Sequence, residues 1–343
     1  MIVAGEERGT NVRVGVVGSG ALAAVRADAF AASHRAEVVV VASRHLANAR
    51  RLTGRYGARA LDSYEAMADE GLDAVLVAVP HRRQDEIVAW ALDHRLHVLI
   101  GGPLASDLTA ARRVAGRAGH SGLVVEAGYE ARYKAVWSTA RRILEEGGIG
   151  TPVSVRSSAA FEQTPESWYY EQEASGGMLV THLTYAFLNP LRWLLGTPRV
   201  AGAVGNARRV VRAGSVWPET CVAAVEFPGD IAGSLYASYV APATMEDWRV
   251  TVVGTRGALE IGPGDLDGGH LVHHHLDGEP QRYDGVPDGF TNQVTAFCEA
   301  VLAGSGSGTD DGLSRRDVLN PPHDALEDLA VCAAIESAMR RSD

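Results

Sequence analysis

The sequence predicts an α/β protein in two parts: a doubly wound parallel sheet over residues 1–128, then an α+β domain over 129–343 with a largely antiparallel sheet. Three observations carry this. Up to Glu126, short apolar runs without helical period alternate with helical patterns, which is the rhythm of βαβ units. The first of those runs ends in a glycine turn that opens a helix. From Thr151 the rhythm changes to longer strands, interrupted by one long helical segment that begins near Met178.

The glycine turn lies in Val12 to Ala23, VRVGVVGSGALA. Its Val-rich start reads as a strand buried on both faces. Gly18 allows the tight turn, Gly20 lets the backbone approach a pyrophosphate, and Ala23 lets helix and strand pack closely. The free N–H groups at the helix start, around Ser19, Gly20, Ala21 and Leu22, would hold the phosphates. This is a dinucleotide-binding (Rossmann) signature, and a merely structural turn is the plainer alternative. After the helix, Glu37 to Ala42 is a second buried strand, and the edge that follows selects between nicotinamide cofactors. NAD(H) selection needs a carboxylate there for the ribose 2′-hydroxyl. This chain has Ser43 and Arg44, a hydroxyl and a planar cation that suit a 2′-phosphate. NADP(H) is therefore expected over NAD(H).

The alternation continues with a helix (Leu46 to Tyr56), a short strand near Ala60, another helix and the strand Leu72 to Pro80. A helix (Asp85 to His94), a strand (His97 to Ile100), a helix (Leu108 to Ala118) and a strand (Leu123 to Glu126) complete it. Ligands of such sheets sit outside the carboxyl ends of the strands, which gathers Pro80-His81, Gly101-Gly102-Pro103 and Glu126 to Glu130 around one crevice. In the second part the strands are Pro152 to Ala160, Cys221 to Phe227, Ile231 to Val240, Trp248 to Val253 and Ala258 to Ile261. Gly304 to Gly312, GSGSGTDDG, reads as a flexible surface loop, and a helix from about Ala325 to Arg340 closes the chain.

A hydrophobic share of 46% is ordinary for a globular protein, and a formal net charge of -10 argues against a nucleic-acid partner. Met1 to Asn11 is polar, without the apolar core of a secretory signal, and no run reaches membrane-spanning length. The expected location is cytoplasmic, with no membrane partner. Cys221, Cys298 and Cys332 are widely spaced among apolar neighbours and read as reduced core residues. His270 and His273-His274-His275 invite a metal reading, yet alternate residues of a strand leave His273 and His275 without a third ligand, so no metal is expected.

With these motifs the chain resembles the glucose-fructose oxidoreductase, inositol dehydrogenase and rhizopine catabolism family, written Gfo/Idh/MocA, over nearly its whole length. The resemblance rests on Gly18, Gly20 and Ala23, on Pro80 to Gln84, on HVLIGGPLA at His97 to Ala105, and on Gly148-Ile149-Gly150. It continues in the Gly176-Gly177 helix entry ending in LRWLLG at Leu191 to Gly196, and in VVGTRGALEI at Val252 to Ile261. It implies a Rossmann domain, an open-faced sheet domain, a small-molecule substrate between them and a homodimer or homotetramer.

The catalytic positions depart from the family pattern. Where the family carries Glu-Lys-Pro this chain has Gly101-Gly102-Pro103, so the lysine that commonly orients the reacting oxygen is Gly102. A cis bond before Pro103 would keep the loop's shape without that chemistry. Where the family has Asp and, four residues on, His, this chain has Thr181 and Tyr185. A spacing of four puts these on one helical face, with His182 three before Tyr185, so the three could surround one reacting atom. Tyr185 is then the candidate proton donor, as in sugar ketoreductase branches that the chain resembles here, with His182 or Thr181 in support. A phenol near a pKa of about 10 donates poorly unless a cation lowers it, a task left to His182 or Arg132. A half-buried core aromatic is the other account of Tyr185. Loss of the lysine also suits a cationic substrate such as a protonated imine, which a fixed positive charge would repel and which needs less acid help. Pro190 is expected to kink or end this helix.

Trp168, in Trp168-Tyr169-Tyr170, is a candidate to stack on the substrate, or else packs its loop onto the sheet. Glu130 and Arg132 are candidates for polar substrate groups, or else form salt bridges at the domain junction. The expected function is NADP-dependent reduction of a carbonyl or imine, with a ketosugar, a nucleotide-linked ketosugar or a cyclic imine as substrate. A cofactor-binding scaffold or non-redox catalyst is the alternative, motivated by the joint loss of Lys, Asp and His.

Overall fold

The computed structural model describes residues 11–162, 167–206, 216–262, 269–304 and 318–340; of His182, Tyr185 and Ala186 it describes the backbone alone. The first part runs β1 (Val12–Val17), α1 (Ala21–Ala32), β2 (Ala36–Ala42), α2 (Leu46–Thr53), β3 (Arg59–Leu61), β4 (Ala74–Val77), α3 (Gln84–Asp93), β5 (His97–Ile100), α4 (Leu108–Ser121) and β6 (Val125–Glu126). Its strands are all parallel, in the order β3-β2-β1-β4-β5-β6. The order reverses at β1, so the crevice opens between the carboxyl ends of β1 and β4. Val14 and Val16 of β1 and all of β4 are fully buried, which is why these strands read as apolar runs, in β1 from Val14 onward. The helix expected between Ala60 and Leu72 is only a single 3₁₀ turn, Glu65–Asp69. So short a segment forms too few hydrogen bonds to offset the cost of nucleating an α-helix.

The second part continues with α5 (Ala135–Glu145), β7 (Pro152–Ala160), α6 (Gln172–Ser175), a widened helix over Leu179–Leu188, and α7 (Asn189–Leu195). Then follow β8 (Arg199–Gly205), β9 (Thr220–Phe227), β10 (Ile231–Ser238), β11 (Asp247–Gly254), β12 (Gly257–Gly262), β13 (His270–His275) and β14 (Gln281–Asp284). The chain closes with α8 (Gly289–Gly304) and α9 (Pro322–Arg340). The strands form one sheet, β14-β13-β12-β11-β7-β10-β9-β8, antiparallel except where β7 runs parallel to β10. Its inner face buries Val155, Val250, Val252 and Leu259 against the helices, while Val204 and Val222 stand side by side on the outer face, exposed.

α5, β8 and β14 are absent from the expected order, and so is α8. Its Val294, Phe297, Cys298 and Val301 enter the core of β1 and α1, and Ala325 and Leu329 of α9 join the core beneath β5. The C-terminal helices therefore pack back onto the first sheet, across a division at 128/129. Of the expected loop Gly304 to Gly312, only Gly304, the last residue of α8, lies within the described residues.

Candidate active site

The glycine turn is wedged between two strand ends. Gly18 donates its N–H to the Ala42 carbonyl at 2.9 Å and adopts φ +121°, and a Cβ there would stand 2.0 Å from the Ala78 carbonyl oxygen. Only glycine fits. Gly20 is extended and exposed, with open space where a Cβ would be, and no side chain caps the start of α1. The first N–H groups of α1 thus face that space, the cradle that a dinucleotide pyrophosphate requires, and these residues fit such a group. Beside them Ser19 Oγ and Ser43 Oγ are 2.8 Å apart. Ala21 and Arg44 are exposed and Leu22 is half-buried. No salt bridge or hydrogen bond of the Arg44 side chain is formed among the described residues.

The loops after β4 and β5 converge on His81. Pro80 precedes it in extended backbone, and His81 is buried with Nδ1 2.7 Å from the Ser175 carbonyl oxygen of α6. That nitrogen must carry the proton, because a carbonyl only accepts. Burial pushes the imidazole down to about 4, against the weaker raising effect of that bond. A Cβ on Gly102 would lie 3.4 Å from His81 Nε2. Gly102 and Pro103 are buried, and their peptide bond is trans, correcting the expected cis geometry. The loop needs no cis bond, because the Gly102 carbonyl accepts the Gly128 N–H at 2.9 Å and so ties β5's exit to β6's. Trp168 meets His81 edge-on at 5.0 Å and stacks on Tyr169 at 4.1 Å, so it joins the two parts of the chain at this loop.

Thr181, His182 and Tyr185 lie on the widened helix, which packs on β7, β10 and α9. Thr181 is buried, and its hydroxyl donates to the Gly177 carbonyl at 3.1 Å and pairs closely with the Tyr239 hydroxyl. The side chains of His182 and Tyr185 lie outside the described residues. Pro190 neither ends nor breaks the helix, since α7 begins at Asn189 with Pro190 in its first turn. The ring lacks an N–H, and the turn before it widens instead, with the Asn189 N–H reaching Thr184 O five residues back.

Glu130 and Arg132 are buried at the junction. Glu130 faces Arg26 at 3.8 Å and Lys134 at 3.6 Å. Arg132 donates to the Asn189 and Leu319 carbonyls and pairs with Asp324 at 2.7 Å. Arg192 joins the same cluster through Asp324 at 3.0 Å and Asp328 at 2.8 Å, and Asn189 Nδ2 donates to Asp328 at 2.8 Å. His273 lies 3.3 Å from the Gly148 carbonyl through Nε2, and among the described residues no three His, Cys, Asp or Glu side chains are grouped to hold a metal.

Two family models match: residues 12–129 fit the oxidoreductase family with an NAD-binding Rossmann fold, and 137–260 fit the GFO/IDH/MocA C-terminal domain. The dTDP-3,4-didehydro-2,6-dideoxy-alpha-D-glucose 3-reductase of Streptomyces violaceoruber is 31% identical over 324 residues, 89% of this chain and 90% of that one. The chain belongs to the Gfo/Idh/MocA family. Scyllo-inositol 2-dehydrogenase (NAD(+)) of Bacillus subtilis is 24% identical over 69% of this chain and 68% of its own. Among solved structures, KijD10, a 3-ketoreductase from Actinomadura kijaniata in complex with NADP and TDP-benzene, superimposes with a TM-score of 0.81 at 24% identity, covering 96% of this chain and 98% of that one. An inositol dehydrogenase homolog with NAD+ from Azotobacter vinelandii gives 0.86 at 18%, covering 99% and 98%. These superpositions establish the shared fold.

As a Gfo/Idh/MocA member, the chain is an NAD(P)-dependent oxidoreductase. Of its buried groups at the crevice, sequence reasoning did not single out Arg26 and named Glu126 only as the start of a crevice segment. Arg26, fully buried on α1, donates to the Gly128 carbonyl at 2.5 Å and to Gln293 of α8 at 2.8 Å. Glu126, fully buried at the end of β6, accepts from Tyr133 at 2.7 Å and Asn320 at 3.2 Å, and burial pushes its carboxyl up to about 7. An arginine inside an Ala-rich helix and a glutamate at a strand end are their only sequence signals, and neither reveals the partner supplied from the far end of the chain.

Proposed function

We propose that the protein is an NADP(H)-dependent reductase of a carbonyl or imine in a small substrate, with Tyr185 donating the proton and His182 or Thr181 supporting it. The observation that carries the cofactor choice is the edge after β2, where Ser43 pairs with Ser19 and the exposed Arg44 has no carboxylate neighbour in sequence. A 2′-phosphate there gains charge-assisted hydrogen bonds and meets no like charge. Gly18 to Leu22 hold the pyrophosphate, and Pro80, His81, Gly102 and Pro103 line the nicotinamide end. The bound nicotinamide supplies the hydride. The relatives' names favour a ketosugar or nucleotide-linked ketosugar, and the missing lysine favours a cyclic imine. Glu130 and Arg132 serve through the buried ion pairs that frame the crevice, and Trp168 through its contact with His81. The outer sheet face, with Val204 and Val222 exposed in register with Tyr236, supports self-association as a homodimer or homotetramer in the cytoplasm.

A second reading, a cofactor-binding scaffold, is favoured by Gly102, Thr181 and Tyr185 standing together where the family has Lys, Asp and His. Side-by-side fluorescence titrations with NADPH and NADH, followed by a screen of ketones and imines with deuterated NADPH, separate the two. Deuterium in a product supports the reductase, and Tyr185→Phe then lowers turnover by roughly 10²- to 10⁴-fold. NADPH binding with no label transferred supports the scaffold.

A further inference from the structure

The position that the family fills with lysine is here an opening with a hydrogen-bond acceptor on its wall. With Nδ1–H held by the Ser175 carbonyl at 2.7 Å, Nε2 of His81 carries the lone pair, and the Nδ1 bond is the hydrogen bond that the ring makes among the described residues. The ring cannot easily turn, being buried and packed edge-on against Trp168 at 5.0 Å and Tyr169 at 6.1 Å. Nε2 points at Gly102, 3.4 Å from where a side chain would begin. The nearby cation, Arg26, is fully buried, bonded to the Gly128 carbonyl and Gln293, and faces Glu130. The opening therefore offers a lone pair, and the fixed charge near it is already committed to Glu130 and the Gly128 carbonyl.

A carbonyl oxygen placed there would face another lone pair, whereas an N–H⁺ would gain a charge-assisted bond. We propose that the opening beside Gly102 receives a protonated nitrogen of the substrate, an iminium or ammonium group, whose N–H donates to His81 Nε2. The proposal rests on the reductase reading and narrows its substrate class. A lysine at position 102 would repel such a group, which accounts for glycine at this place. His81 is then a substrate-binding residue and stays neutral while binding, since burial holds its imidazole near 4.

The test uses the full-length protein. NADPH is titrated first, and its failure to bind removes the cofactor reading without touching the arms that follow. Piperidine and tetrahydropyran, rings of one shape that differ in an ammonium nitrogen and an ether oxygen, are then titrated at neutral pH by ligand-observed NMR, with and without NADP+. Piperidine is expected to bind at least about tenfold more tightly. His81→Phe keeps a ring against Trp168 but has no acceptor, so it removes the preference, and Gly102→Lys removes it by placing a competing ammonium. In wild-type protein carrying ¹⁵N-histidine, the His81 Nε2 resonance is expected to be that of an unprotonated nitrogen and to shift when piperidine is added. That measurement depends on no variant's folding. Equal binding of the two rings, binding of neither, a preference that survives His81→Phe, or an unmoved Nε2 resonance overturns the proposal.

Discussion

Gly18→Ala and Gly20→Ala are expected to fail in different ways. At position 18 the new methyl would stand 2.0 Å from the Ala78 carbonyl oxygen and 2.8 Å from its carbon, in backbone at φ +121°. Ala78 cannot retreat freely, since its N–H donates to the Val17 carbonyl at 2.8 Å where β4 leaves β1. The φ angle costs about 1–3 kcal/mol and the overpacking about 1–3 kcal/mol more, so roughly 2–6 kcal/mol is lost from a total of about 5–15 kcal/mol. At position 20 the backbone is already extended at φ -77°, and nothing lies within 4 Å of the new Cβ. A gain of about 0.4–1 kcal/mol from a stiffer unfolded chain offsets a capping loss of similar size, so stability should stay within about 0.5 kcal/mol. The methyl nevertheless projects into the space assigned to the pyrophosphate, and NADPH affinity should fall at least about tenfold, or about 1.4 kcal/mol. Urea unfolding and NADPH fluorescence titration of both variants measure the two effects. Unchanged NADPH affinity in a stable Gly20→Ala protein would refute the placement of the phosphates over α1.

Arg44→Ala should weaken NADPH by about 1.5–3 kcal/mol, the worth of hydrogen bonds to a charged group, and leave NADH nearly unchanged; equal losses for both cofactors in parallel titrations would count against a 2′-phosphate contact. Asp328→Ala strips Arg192 and Asn189 of a buried partner and should cost about 3–5 kcal/mol in urea unfolding, whereas the double variant Asp328→Leu/Arg192→Met should be less damaged because no buried charge is orphaned. Glu126 has a folded-state carboxyl raised to about 7 from an ordinary value of 4.5, so its contribution to stability is present at low pH and is lost as pH rises through that window, by about 3 kcal/mol. Glu126→Gln should therefore gain on the wild type in urea midpoint from about pH 5 to pH 8, and a constant difference would contradict the raised carboxyl. His81, lowered to about 4, loses its contribution in the opposite direction as pH falls from about 6.5, but it is common to both proteins and cancels in the comparison.

Much of the first sheet was legible because both of its faces are covered. A strand buried on two sides is apolar at its buried positions, so VRVGVV, EVVVVA and DAVLVAV announce themselves locally, with Arg13, Glu37 and Asp73 confined to their starts. Gly18 was legible for a similar reason, since a positive φ against a neighbouring carbonyl tolerates no side chain. What the sequence by itself determined is thus the alternation of strands and helices, the glycine turn, the Ser43-Arg44 edge and a glycine at position 102. Tertiary structure alone decided where α8 docks, because its helical spacing of Val294, Phe297, Cys298 and Val301 fits many surfaces, and the one it meets is built by α1, β1 and residues 130–133 together. It also decided that Arg26 bonds Gln293 and that Arg132 and Arg192 converge on Asp324, contacts between residues more than a hundred positions apart. His81 shows the limit most clearly. Its charge, tautomer and direction are set by the Ser175 carbonyl, by burial and by the absent side chain at Gly102, three neighbours that meet only when the chain folds.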